Sequence, residues 1–194
     1  MGAIGTIGQT VTPTGGSSVN YTWIDKRNPA TAKGIVKAVT IQCYAGGVNT
    51  PNNVAIKIFR VNGSNYEVIY NQIVTTMVEG TNVITLATPQ NILIGDLIGY
   101  YSGLSGSVAV LSYQAGTGTG HHNKVGNVTT ATAIADWGSG TETLGMYAQI
   151  MATFKGGFSG FSPWIFLKDM WERHDRLWTP DKKLILPEDL GFSY

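Results

Sequence analysis

The 194-residue sequence predicts a mainly β protein, an antiparallel two-sheet sandwich followed by a C-terminal amphipathic helix and an extended arm. Three observations carry that expectation. Up to residue 154, apolar and polar residues alternate with a period of two between turn signals, and no stretch keeps the 3.6-residue period of a helix for long. That region is rich in Gly, Thr, Ser, Asn and Val and holds only 7 Lys/Arg and 6 Asp/Glu, whereas the last 40 residues hold 6 and 6. The two compositions meet at KGGFSGFSP, where Gly156, Gly157 and Gly160 suit a linker and Pro163 suits the first turn of a helix. The chain therefore divides into a β body, 1–154, and a C-terminal region, 155–194.

Within the body, 4–11 and 19–24 are the weaker strand candidates. Residues 35–44 form a long strand in which Ile35, Lys37, Val39, Ile41 and Cys43 alternate with Val36, Ala38, Thr40, Gln42 and Tyr44, giving one strongly apolar face. Cys43, the single cysteine, is expected to face the core without a disulfide. NVAIKIFRV and NYEVIYN flank Asn62-Gly63, whose tolerance of positive φ predicts a primed turn and a hairpin. IVTTMV and TNVITL flank Glu79-Gly80 and predict a second hairpin. Gly95 permits a sharp corner, with Asp96 capping its own turn backbone, ahead of a strand at 97–102. Further strands fall at 108–113 and 144–154. Eight to ten strands of this length is the number expected of a two-sheet antiparallel sandwich, foremost a jelly roll. No repeat of about 20–50 residues points to a propeller or solenoid.

The run 33–101, with AIKIFRVNGSNYEVIY leading through TNVITLATPQNILIGDLIGYYS, resembles jelly-roll domains of bacteriophage virion proteins and of secreted carbohydrate-binding proteins. The shared feature is a strand, the Gly95-Asp96 corner and a strand opening Leu97-Ile98-Gly99-Tyr100. It covers about a third of the chain and speaks to fold more than to function.

Charge and motifs narrow the function classes. A net charge of +1, with no basic cluster larger than Lys26-Arg27 or Lys182-Lys183, argues against nucleic acid as a partner. The N-terminus lacks the basic start and apolar run of a signal peptide, and no stretch approaches the roughly 18 apolar residues of a membrane span, so neither element is expected. Sequons at Asn20, Asn62 and Asn127 read as by-products of an Asn/Thr-rich composition. GGFSGF places Phe161 where a nucleophile elbow needs glycine, and GTGTG lacks the Lys-Ser/Thr pair and helix of a phosphate loop. His121-His122 is the one metal-like pair, but neighbours on an extended chain point to opposite sides, so an exposed polar loop without metal or cofactor is the expectation.

Two regions remain as candidate surfaces. Residues 114–143 form an unusually long connection holding His121, His122, Asp136 and Trp137, and long connections are commonly functional. Trp137 could stack on a sugar, anchor another subunit or fold back to cap the sandwich. The second region is the helix at 163–178. A helical wheel gathers Trp164, Phe166, Leu167, Met170, Trp171, His174, Leu177 and Trp178 on one half, opposite Lys168, Asp169, Glu172, Arg173, Asp175 and Arg176. Such a stripe must dock on the chain's own body, on a membrane or on another subunit. Balanced charge on its polar half disfavours an anionic membrane. Beyond it, Leu184, Ile185 and Leu186 form an apolar triplet, and the sequence ends on Phe192 and Tyr194 as further anchor residues.

The combined expectation is a non-enzymatic structural or assembly protein of a virion or extracellular assembly. It docks on other subunits, as a homo-oligomer or part of a larger assembly, through Trp164, Leu167, Met170, Trp171, His174, Trp178, Leu184, Leu186, Phe192 and Tyr194. The alternative is a carbohydrate-binding module or adhesin that takes a glycan at the 114–143 loop.

Overall fold

Alternation along the body becomes two antiparallel sheets in the computed structural model, which describes residues 2–10, 15–16, 19–48, 53–103, 109–115 and 120–153. The expected helix and arm lie outside the described residues. In chain order the strands are β1 (Ala3–Gln9), β2 (Gly15–Gly16), β3 (Tyr21–Asp25), β4 (Gly34–Val48), β5 (Val54–Asn62), β6 (Asn65–Val74) and β7 (Gly80–Ile92). They continue as β8 (Leu97–Tyr101), β9 (Ala109–Gln114), β10 (His121–Val125) and β11 (Thr132–Ala133). A 3-10 turn (Ile134–Asp136) then leads to β12 (Gly138–Gly140), β13 (Thr143–Leu144) and β14 (Met146–Met151).

The first sheet runs β7-β4-β14-β1, and β9 takes over beside the far end of β4, where β2 and β13 pair with it. The second sheet runs β11-β6-β5-β8-β3-β10-β12. Between them lies the main core, to which the first sheet contributes Ile7, Val39, Ile41, Met146 and Ile150, and the second Trp23, Ile56, Ile58, Ile98 and Tyr100. This is sandwich-like packing, in which each sheet turns its apolar side inward because burial of a large side chain gains about 1.5–3 kcal/mol. Cys43 belongs to this core as a free thiol, and burial pushes its pKa up to about 12.

The β5-β6 hairpin forms as expected, with Asn62 paired to Asn65 and Gly63 at a φ of 58°. At the Gly95-Asp96 corner Gly95 adopts φ 90°, and Asp96 Oδ2 accepts the Leu93 amide at 2.8 Å. Arg60 then grips both carboxylate oxygens of Asp96, at 2.9 and 2.8 Å, so that the corner is tied to β5.

Three expectations need correction. Residues 73–86 are not a hairpin: β6 belongs to the second sheet and β7 to the first. The segment between them crosses the sandwich edge with Met77 fully buried, while Asn82 binds the backbone of Val78 and Gly80. In β4 the inward set is Val36, then Val39, Ile41 and Cys43, because β4 carries one residue more than β14 between Ile35 and Thr40, where their ladder shifts register, and this changes the parity. Finally, 114–143 is not one long connection: among its described residues β10, β11 and β12 pair into the second sheet, with the 3-10 turn between β11 and β12.

Candidate functional site

His121 and His122 open β10, which is held between β3 and β12. Both are buried, not exposed, and alternation along the strand sends them to opposite faces. His121 packs its ring 4.5 Å from that of Trp23. Asn123 Nδ2 lies 3.1 Å from its Nε2, and Nδ1 faces the carbonyl and the carboxylate of Glu142, each at 3.3 Å. Burial lowers its pKa, although Glu142 opposes that shift. His122 sits between Lys26 Nζ, 3.2 Å from Nε2, and Tyr66 Oη, 3.0 Å from Nδ1. Burial first, then the charges of Lys26 and His121, lower His122 to about 4, and burial raises Tyr66 to about 12.

On the outward side of the second sheet, Ile24, Phe59, Tyr66, Leu97 and Trp137 make a smaller apolar cluster, covered by Val128 and Ile134. Trp137 meets Phe59 and Tyr66 edge to face, with ring centroids 6.0 and 5.5 Å apart. It is 7% exposed, so of the roles open to it in the sequence the structure displays the cap. Its indole Nε1 is buried without a hydrogen-bond partner.

The segment 126–137 that brings Trp137 there crosses this face as a strap. Thr22 Oγ1 donates to Gly126 O at 2.6 Å and accepts the Val128 amide at 3.0 Å. Lys57, fully buried, donates from Nζ to Val128 O at 2.7 Å and to Asn71 Oδ1 at 2.6 Å. Burial depresses the Lys57 pKa to about 8. Neither Thr22 nor Lys57 was legible as a site residue, although a lone lysine inside the apolar run VAIKIF is the kind of signal that marks a buried cation.

Asp136 stays outside this packing. It is 57% exposed, 3.6 Å from Lys124 Nζ, and lies with Tyr21, Asn123, Lys124, Val125 and Gly138 around a depression of about 340 Å³. Thus the four body residues singled out from sequence gather around β10 and the strap but do not converge on one centre. The candidates from Trp164 to Tyr194 lie outside the described residues.

Chemically, the ionisable groups of this arrangement are taken up in contacts with their neighbours. General acid-base work favours a group titrating near the working pH, yet the Tyr66-His122 pair titrates far to either side of neutrality. Asp25 accepts the amides of Arg27 and Asn28 and the Asn28 side chain, and Asp96 is taken by Arg60 and Leu93. Among the described residues no group of three or more His, Cys, Asp or Glu could hold a metal ion, and no helix is long and apolar enough to cross a membrane. No family model, curated protein or solved structure matches the chain.

Proposed function

We propose that this protein is a non-enzymatic structural component of a larger assembly, a bacteriophage virion protein of the head-decoration, tail or fibre-attachment kind. In this reading its body is a jelly roll and its C-terminal region docks on neighbouring subunits. The observation that carries the reading is the strand order. β1-β14-β4-β7 lies against β3-β8-β5-β6, and the chain moves from sheet to sheet at β1-β3, β3-β4, β4-β5, β6-β7 and β7-β8. Two four-stranded sheets wound in this order support a jelly-roll body, with β9 to β13 inserted before the last strand. The resemblance at 33–101 adds the virion context.

The ionisable groups support a structural body. Lys57, Asp96 and His122 each tie one segment to another, and Asp25 closes its own turn. The C-terminal sequence supports the docking role, because Trp164, Trp171 and Trp178 on one helical half would each gain about 1.5–3 kcal/mol on burial. Light-scattering molar mass on the full chain and on a chain ending at Phe154 tests it. A higher assembly state for the full chain than for the shortened one, which stays folded, is expected. Equal assembly states for the two, with the shortened chain melting many degrees lower, would overturn the reading in favour of a C-terminal region that serves its own body.

A second reading, a carbohydrate-binding module, is favoured by the depression where Tyr21 meets Asn123, Lys124 and Asp136. An aromatic ring beside amide, ammonium and carboxylate groups is the equipment that sugar hydroxyls and C–H faces require. Saturable binding of a monosaccharide at millimolar concentration, lost in Asp136→Ala, would put this reading in place of the first.

A further inference from the structure

The outward face of the first sheet is nearly free of charge. Its seven strands contain one formally charged residue, Lys37. Those of the second sheet contain Asp25, Lys57, Arg60, Glu67 and Lys124. Register sets Thr81, Val83 and Thr85 of β7 beside Gln42, Thr40 and Ala38 of β4, with Tyr147 of β14 on the other flank of Thr40. Residues between them, Asn82, Val39, Ile41 and Met146, are buried in the interior, so this set faces outward. Val83 is 68% exposed and Tyr44, farther along β4, is 41% exposed.

A free surface ordinarily mixes charges of both signs over about a quarter to a third of its residues, which keeps copies apart. Interface cores lack them, because each charge would have to be desolvated. Size fits as well. Strands of 7, 15, 13 and 6 residues, at about 3.4 Å per residue and about 4.8 Å apart, give a face of roughly 650 Å². That is the order of the ~800 Å² per partner found in stable complexes.

Charge complementarity selects the occupant. The second sheet and its strap present Glu67, Lys124 and Asp136 to solvent, and covering these with an uncharged face would strip their water without supplying counter-charges. A copy of the uncharged face exacts no such penalty. We infer that the first sheet packs on the same face of a second copy of this chain, sheet against sheet about a two-fold axis. This rests on the reading of the protein as an assembly component, but it uses a surface separate from the C-terminal region.

The test is light-scattering mass of the full 194-residue chain over a dilution series. The unchanged chain is expected to be dimeric, or a multiple of that, at about 100 µM. Val83→Glu places two like charges in the covered face and should weaken that association at least about tenfold. Mixing Val83→Glu with Val83→Lys should restore it, which also shows that both variants fold. Ile73→Glu, at a 55% exposed position on the second sheet, should change nothing. A chain that is monomeric at the top concentration overturns the inference, and so does a Val83→Glu variant that associates as before, whatever happens to its melting temperature. Trp171→Ser with Leu184→Ser in the full chain reads the C-terminal docking separately. Loss there, with Val83→Glu silent, overturns the sheet contact alone.

Discussion

His122 is kept neutral by what surrounds it. It is 8% exposed, faces the Lys26 ammonium and neighbours His121, and each of these opposes a proton. The ordinary value of 6.5 falls to about 4 in the folded protein. As pH drops below about 6.5 the unfolded chain takes up the proton first, so stability declines from there until about pH 4, by an amount on the order of 3 kcal/mol. Urea midpoints at neutral and acid pH should show that decline, and His122→Gln should show a shallower one. Comparing parent with variant separates His122 from Asp25, whose carboxyl is shifted upward by burial and therefore acts on stability with the opposite sign. Identical slopes in parent and variant would refute this account. At this scale the sequence discloses residues whose role is local: Cys43 by the alternation around it, Asp96 by the turn it closes. It does not disclose His121, His122 or Trp137, because what buries them arrives from β3, Tyr66 and Phe59, roughly sixty to a hundred residues away along the chain. In isolation a polar, Gly-flanked histidine pair looks like a loop.

Among the elements, the strap at 126–137 depends on a few polar anchors. Thr22→Val keeps the shape of the side chain but leaves Gly126 O and the Val128 amide unpaired under the strap. A cost of about 1–3 kcal/mol follows. Because Lys57 and the apolar cluster hold the strap independently, the loss should be local. Hydrogen exchange at the Val128 amide should quicken at least about tenfold while amides in the β4-β7 ladder keep their protection. Equal loosening in both places would mean that the strap and the sandwich open as one unit. Element existence was legible from period-two alternation, but sheet membership was not. IVTTMV and TNVITL alternate in the same way whether they pair with each other or part into different sheets, and only the burial of Met77 and the backbone grip of Asn82 decide for the crossing. The parity change in β4 was hidden for a related reason, since the residue β4 adds against β14 does not change the composition around it.

For the whole molecule the governing feature is unequal charge on the two sheets, and it makes a prediction that is independent of any single side chain. Screening by salt acts on charged surfaces, with a Debye length of about 10 Å at 0.1 M falling to about 3 Å at 1 M. Association through the first sheet brings together Thr, Gln, Val and Tyr side chains with Lys37 alone among charges, so it should be nearly indifferent to salt. Contact through the second sheet would instead engage Arg60, Glu67, Lys124 and Asp136 and should respond strongly. The dissociation constant of the full chain, measured by sedimentation between low and high salt, should therefore move by less than about threefold. A tenfold loss of affinity across that range would take association away from the first sheet and give it to a charged surface, the second sheet or the C-terminal region. The pattern also accounts for the neutrality of the body as a whole: with 7 basic and 6 acidic residues up to 154, and almost none of them on the first sheet, there is little long-range repulsion to keep two such faces apart.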